Sequence, residues 1–316
     1  MKIKILDKST MGDDISGTLL ERFGEVTEYG ATSREELPSR ISDADIVVLN
    51  KIRIDRTALE AAKKLKLICV FATGYDNVDI EAARERGVAV CNVPAYSTDS
   101  VVLMTLAKVL ALCTHLYEYS SYVESGEYSR SGAANRLTPV YHELSGKVWG
   151  IVGYGNIGRA VAAAARALGA RVVVNKRTPI DGIDCVDIET LCRESDIITL
   201  HCPLNEETRN LISKERIALM KSDVILVNEA RGAVVDEAAV AAAVLDGKIG
   251  AFGCDVYSSE PFVESHPYNE IKSHKNVILT PHCAWGAYEA RKRCMGIISD
   301  NIECFITGKS KNRVDI

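Results

Sequence analysis

The chain has 316 residues, 47% of them hydrophobic and 26% charged, a balance that suits a folded globular protein of about two domains and excludes an extended disordered one. Acidic side chains number 43 and basic ones 38, so the net charge of −5 provides no broad positive field for nucleic acid. No apolar run reaches the roughly 18 residues of a bilayer span, so no membrane partner is expected.

The first ten residues, MKIKILDKST, alternate polar and apolar and read as a strand, not a leader peptide. Ten cysteines show no CxxC pair and no zinc spacing, so they read as buried free thiols of a cytoplasmic protein, with no metal site. Strands are predicted over 2–6, 45–49, 67–71 and 88–91, with helical patterns over 55–64 and 80–86 between them. Short Val- and Ile-rich runs separated by helices indicate βαβ units and a parallel sheet buried on both faces. A long helix is predicted over 100–119. A second series of strands follows over 148–152, 171–174, 196–200, 223–227, 250–255 and 277–279, with helices over 157–168, 188–193, 213–220 and 237–245. Gly169 and Gly247 stand where left-handed caps end helices. A last helix over 287–306 returns the chain toward its first half. The fold class is therefore α/β, with two Rossmann-like domains of parallel strands. The expected division is a discontinuous substrate domain, 1–98 with 288–316, into which a dinucleotide-binding domain, 99–287, is inserted.

The phosphate-binding signal lies in the second series. In VWGIVGYGNIG, residues 148–158, a strand turns into a helix through Gly153, Tyr154, Gly155, Asn156, Ile157 and Gly158. The first glycine of GxGxxG allows the tight turn, the second lets backbone approach a pyrophosphate, and the third lets helix and strand pack closely. The helix N-terminus supplies free N–H groups to the anion. An Asp or Glu at the end of the next strand would bind the ribose 2′-OH of NAD(H). Here Asn175, Lys176, Arg177 and Thr178 stand there instead, two cations and a hydroxyl that suit a 2′-phosphate. NADP(H) is expected ahead of NAD(H).

Three polar residues follow strand ends: Arg231, Glu260 and His282. In an open parallel sheet, ligands bind outside the carboxyl ends of strands. Arg231 suits a carboxylate or a polarised carbonyl. His282 suits proton transfer to or from the oxygen of a carbonyl or alcohol. Glu260 suits the second ring nitrogen, where it would fix the tautomer and favour the charged ring. His201 reads as structural, and His115, His142, His266 and His274 as surface or interface residues.

GYGNIG, NEARG, DVYSSEP and TPHCAW, in that order, resemble the D-2-hydroxyacid dehydrogenase family over nearly the whole chain, and ATGYDNVD and NVPAYSTDSV resemble its glycerate dehydrogenase or hydroxypyruvate reductase branch. The resemblance implies catalytic roles for Arg231, Glu260 and His282. It implies cofactor contacts from Cys202, Pro203, Thr208, Glu229, Ala230 and Asp255, with Asp255 on the nicotinamide side. It implies substrate contacts from Lys51 and from the backbone of Thr73 and Gly74, while Trp285 by itself reads either as a wall of the substrate site or as packing. The implied reaction is NAD(P)-dependent reduction of a small 2-oxo acid, first hydroxypyruvate or glyoxylate, by a homodimer. Alternatives are a phosphoglycerate dehydrogenase without a regulatory domain and a non-catalytic cofactor-sensing protein on the same fold. A formate dehydrogenase would carry Gln at Glu260. Two residues depart from the branch: Leu103 replaces a polar residue, and Glu229 an uncharged one.

Overall fold

The computed structural model describes all residues, 1–316. The chain divides into two compact units, Met1–Ser97 with Gly286–Ile316, and Thr98–Trp285. No single helix is long and apolar enough to cross a membrane.

The first unit is built on β1 (Lys2–Ile5), β2 (Glu25–Glu28), α1 (Leu37–Ile41), β3 (Ile46–Leu49), α2 (Arg56–Ala61), β4 (Leu67–Val70), α3 (Ile80–Glu85) and β5 (Ala89–Cys91). The five strands are parallel in the order β2-β1-β3-β4-β5. β3 and β4 are buried along their whole length, because helices cover both faces of the sheet. Asp55 and Asp79 cap α2 and α3 by accepting the N–H of Ala58 and Ala82. β2, the edge strand EVTE, has no buried residue and carries little apolar signal, so the sequence pattern did not predict it.

The second unit holds α4 (Thr98–Cys113), α5 (Leu116–Glu124), α6 (Glu127–Ser131), β6 (Val148–Val152), α7 (Asn156–Ala167), β7 (Arg171–Asn175), α8 (Ile188–Glu194), β8 (Ile197–Leu200), α9 (Lys214–Leu219), β9 (Ile225–Asn228), α10 (Glu237–Leu245), β10 (Ala251–Cys254) and β11 (Val277–Leu279). Its six parallel strands run β11-β10-β9-β8-β6-β7. Both sheets are doubly wound, in agreement with the expected fold class. Strand order reverses between β6 and β8, and a crevice at such a switch point is where open α/β sheets bind ligands.

The single helix predicted over 100–119 is two helices bent by 65°. His115 adopts a left-handed backbone, with φ at 52°, and that one residue breaks the run. Neither α5 nor α6 buries a single residue in this unit.

The final helix, α11 (Tyr288–Ile306), belongs to the first unit. Arg291 pairs with Asp14, Arg293 donates to the Tyr96 carbonyl at 3.0 Å, and Asn301 donates to the Asn92 carbonyl at 3.0 Å. The tail beyond it accepts the N–H of Val90 on Asp315 at 2.8 Å.

Candidate active site

The cradle after β6 has the geometry that an anion needs. Gly153 has φ at +90°, and a Cβ there would lie 2.7 Å from the backbone of His201 and Cys202, so the loops after β6 and β8 meet at the switch point. A Cβ on Gly158 would fall 2.1 Å from the Gly153 carbonyl oxygen, which explains the third glycine. Gly155 is different: a Cβ there would meet nothing within 4 Å, so its place in the motif leaves open space above the turn. Helices α8, α9 and α10 have their first N–H groups capped by Asp187, Ser213 and Asp236. The N-cap of α7 is Gly155, which has no side chain to offer. The open space and the uncapped helix end together fit a dinucleotide pyrophosphate.

At the end of β7, Asn175 donates from Nδ2 to the Val186 carbonyl at 3.0 Å, and no carboxylate follows it. Lys176 is half-buried. Arg177 is 82% exposed, with only Glu207 near it at 3.9 Å. After β8, Cys202 is buried, and the Thr208 hydroxyl donates to the Pro203 carbonyl at 2.7 Å, closing that loop on itself. Burial pushes His201 down to about 3, and neither ring nitrogen makes a hydrogen bond.

Arg231, Glu260 and His282 follow β9, β10 and β11, three adjacent parallel strands whose ends lie level: Cys254 pairs with Asn228 on one side and Leu279 on the other. The Arg231 turn is closed by Asn228, whose Nδ2 donates to the Arg231 carbonyl at 3.0 Å and whose Oδ1 accepts the Ala230 N–H at 3.0 Å. Gly232 lies against the loop after β10, where a Cβ would stand 2.0 Å from the Tyr257 carbonyl carbon. In that loop Glu260 accepts the Tyr257 N–H on Oε1 at 3.0 Å and faces His282 Nδ1 through Oε2 at 2.6 Å. The arrangement leaves Nε2 of His282 as the ring's second proton-transfer atom.

His282 has φ at +51°, which costs an ordinary side chain about 1–2 kcal/mol. A web of bonds offsets that cost. Asp255, expected beside the nicotinamide, is 1% exposed and committed to this segment. Its Oδ1 accepts the Thr280 hydroxyl at 2.5 Å and the Cys283 N–H at 2.9 Å, and its Oδ2 accepts the Ala284 N–H at 2.8 Å. Trp285 donates from Nε1 to the His282 carbonyl at 2.8 Å. The Tyr257 hydroxyl donates to the Thr280 carbonyl at 2.8 Å.

Glu229 is buried, and the structure accounts for its departure from the resembled pattern. Its Oε1 meets the Lys108 ammonium of α4 at 2.7 Å, with both side chains almost wholly buried. The Lys108 stem crosses Gly253, where a Cβ would stand 3.2 Å from Cδ. Burial pushes Glu229 up to about 7, against the pull of Lys108. Leu103 lies on α4 and is 64% exposed. His266, read as a surface or interface residue, is buried within its own unit and bonded to Glu237, because it caps the turn over 267–270 from inside.

In the first unit, Lys51, Thr73 and Gly74 follow the adjacent strands β3 and β4. Asp7 accepts the N–H groups of Asn50 at 2.9 Å and Lys51 at 2.6 Å, and burial raises its carboxyl above the ordinary range while those donors pull it back. The Thr73 hydroxyl donates to the Val93 carbonyl at 2.9 Å, which fixes the loop whose N–H groups were expected at a substrate carboxylate. Sequence reasoning missed Lys108, Glu237, Tyr257 and Asp7. The only signal was the lysine that interrupts the apolar run over 101–113.

A doubly wound unit with a glycine cradle and an acid–base pair at its strand ends defines a dinucleotide-dependent oxidoreductase. Residues 106–284 match the family model described as D-isomer specific 2-hydroxyacid dehydrogenase, NAD binding domain. The chain is 38% identical to a hydroxypyruvate reductase of Blautia hydrogenotrophica over the full length of both proteins. It is 37% identical to a glycerate dehydrogenase of Methylorubrum extorquens over 92% of each. A solved structure of a Thermus thermophilus protein superposes with a TM-score of 0.89 at 33% identity, covering 99% of this chain and 100% of that one. The chain belongs to the D-isomer specific 2-hydroxyacid dehydrogenase family. It is an oxidoreductase that uses a nicotinamide cofactor and acts on small 2-hydroxy or 2-oxo acids.

Proposed function

We propose that the protein reduces hydroxypyruvate to D-glycerate, with glyoxylate to glycolate as a second reaction, and uses NADPH ahead of NADH. The observation that carries the chemistry is the 2.6 Å contact between His282 Nδ1 and Glu260 Oε2, beside the turn that presents Arg231. The substrate assignment rests on the hydroxypyruvate reductase and glycerate dehydrogenase among the relatives.

A bound nicotinamide supplies the hydride in the reductive direction. Every other part of the step falls to this chain. Gly153, Tyr154, Gly155, Asn156, Ile157 and Gly158 hold the pyrophosphate on the end of α7. Lys176, Arg177 and Thr178 take a 2′-phosphate through charge-assisted bonds. Cys202, Pro203, Thr208 and Ala230 line the rest of the dinucleotide path, Asp255 holds the His282 segment, and the Glu229 side chain, expected on that path, is turned to Lys108 instead. Arg231 binds the substrate carboxylate and polarises its carbonyl, and Trp285 walls the site. Glu260 holds the imidazole in place through Nδ1, and His282 delivers the proton to the carbonyl oxygen from Nε2. Running backward, the same atoms take the proton from the alcohol. The deciding experiment is kcat/KM for hydroxypyruvate, glyoxylate, pyruvate and phosphohydroxypyruvate, each with NADPH and NADH. A preference for phosphohydroxypyruvate would move the protein to the phosphoglycerate dehydrogenases, and no turnover with any of them would refute the substrate assignment.

The homodimer is part of the same proposal. Leu116, Tyr117, Val123, Leu137 and Val140 are between 57% and 75% exposed on a segment whose helices bury nothing in their own unit. A second copy of this segment is a fitting cover for such a face, and light scattering on the eluting protein tests it.

A further inference from the structure

The catalytic pair rests on a loop that is itself exposed: Ser258, Ser259, Glu260 and Pro261 all face solvent. An exposed loop does not keep a carboxylate at one place unless something buried holds it. That anchor is Glu237, the first residue of α10. Its Oε1 accepts the Ser258 N–H at 2.9 Å, and its Oε2 accepts the Ser258 hydroxyl at 2.5 Å. Oε2 also meets His266 Nε2 at 3.0 Å, with both side chains less than a tenth exposed. His266 Nδ1 accepts the Tyr268 N–H at 3.2 Å, so the ring carries its proton on Nε2 and donates to Glu237. Glu237 is thus an acceptor for three donors. Phe262 lies 4.9 Å from the His266 ring centre and 4.8 Å from that of Tyr257, so an aromatic wall surrounds the anchor. Helix α10 is capped separately by Asp236, which leaves the Glu237 side chain free for this task.

From Ser258 the connection to the chemistry is short. The neighbouring Tyr257 donates its N–H to Glu260 and its hydroxyl to the carbonyl of Thr280, two residues before His282. Holding the Tyr257–Ser258 peptide therefore holds both partners of the proton-transfer pair. We propose that Glu237, oriented by His266 and acting through Ser258, is a positioning residue that keeps Glu260 on His282. The proposal rests on the catalytic reading above.

The test compares Glu237→Gln, Ser258→Ala, Glu260→Gln and the double variant Glu237→Gln/Glu260→Gln, with hydroxypyruvate and NADPH. Titratable groups facing the His282 segment are Glu260 and Tyr257 from the loop after β10, Asp255 at the end of β10 and Cys283 beside it, and none of these is altered in Glu237→Gln. Glu237→Gln is expected to lower kcat roughly tenfold, as loss of an orienting carboxylate does at other sites. It should also displace the pH–rate profile in the same direction as Glu260→Gln, with KM for NADPH unchanged. Ser258→Ala should do the same more weakly, and it serves as the reading should Glu237→Gln fail to fold. In the double variant the Glu237 substitution should add nothing to the loss from Glu260→Gln. Multiplied losses, or a wild-type profile in the single variants at any melting temperature, would overturn the positioning role. Lack of turnover by the wild-type protein would instead overturn the catalytic reading.

Discussion

Lys108→Met separates charge from volume at the buried pair. Methionine keeps the unbranched stem that crosses Gly253 and removes only the ammonium 2.7 Å from Glu229. The carboxylate then has no donor, because its Oε2 already makes no hydrogen bond. Breaking one side of a buried ion pair costs about 3–5 kcal/mol, provided that the remaining group stays charged. Glu229 need not, since burial has already raised it from 4.5 to about 7. A carboxyl raised on folding binds more protons in the native state than in the unfolded chain, so stability falls as pH rises from the ordinary value through the raised one. Removing Lys108 takes away the largest influence that lowers Glu229, so in the variant the fall continues further, at about 1.4 kcal/mol per pH unit. The deficit of Lys108→Met against wild type should therefore be small at pH 6 and reach at most about 3 kcal/mol near pH 9. Urea denaturation at both pH values measures it. Lys108→Met/Glu229→Met, which removes both charges, should return to within about 2 kcal/mol of wild type, as apolar replacement of a buried pair does. A deficit that stays constant or shrinks toward high pH, or a double variant as unstable as the single, would refute this reasoning.

His282→Ala should lower kcat by about 10²–10⁴ while cofactor affinity is kept, since the proton donor alone is lost; wild-type turnover in stopped-flow or steady-state assays would end the mechanism. Glu260→Gln should lower kcat for reduction, because the His282 ring loses the carboxylate that holds it at 2.6 Å, and unchanged turnover would count against the pair. Arg177→Ala should raise KM for NADPH far more than for NADH, and equal effects would reverse the cofactor preference. Gly155→Ala places a methyl in the open space over the α7 turn, so thermal stability should hardly change while calorimetric affinity for the dinucleotide drops; unaltered affinity would show that the pyrophosphate lies elsewhere.

What the sequence showed was what local rules control. Helix starts were legible where Asp55, Asp79, Asp187, Ser213 and Asp236 cap them, and buried parallel strands announced themselves as short Val- and Ile-rich runs. The glycine spacing and the three polar residues after strand ends were legible because a parallel sheet puts all such ends on one side. The break at His115 was not, since a left-handed backbone is uncommon at any single histidine and no glycine or proline marks the spot. Nor was strand order, which needs pairings between distant segments. Lys108 and Glu229 are separated by 121 positions, so each looked like an isolated oddity until the fold brought them together.

The two departures from the family pattern then differ in kind. Glu229 is compensated inside its own unit: α4 supplies the opposite charge, and β10 supplies a glycine where the stem of Lys108 must pass. Such a change requires at least two sites to agree, because either charge alone would stand uncompensated in the interior. The Asn228 bonds that close the Arg231 turn use backbone atoms of Ala230 and Arg231 and leave the Glu229 side chain out, so the turn accepts the carboxylate without altering how the guanidinium is presented. Leu103, by contrast, is an apolar side chain turned outward on α4, with nothing in its unit to compensate it. A buried pair that balances itself is closed within its own unit, whereas an uncovered leucine changes what can settle against that helix.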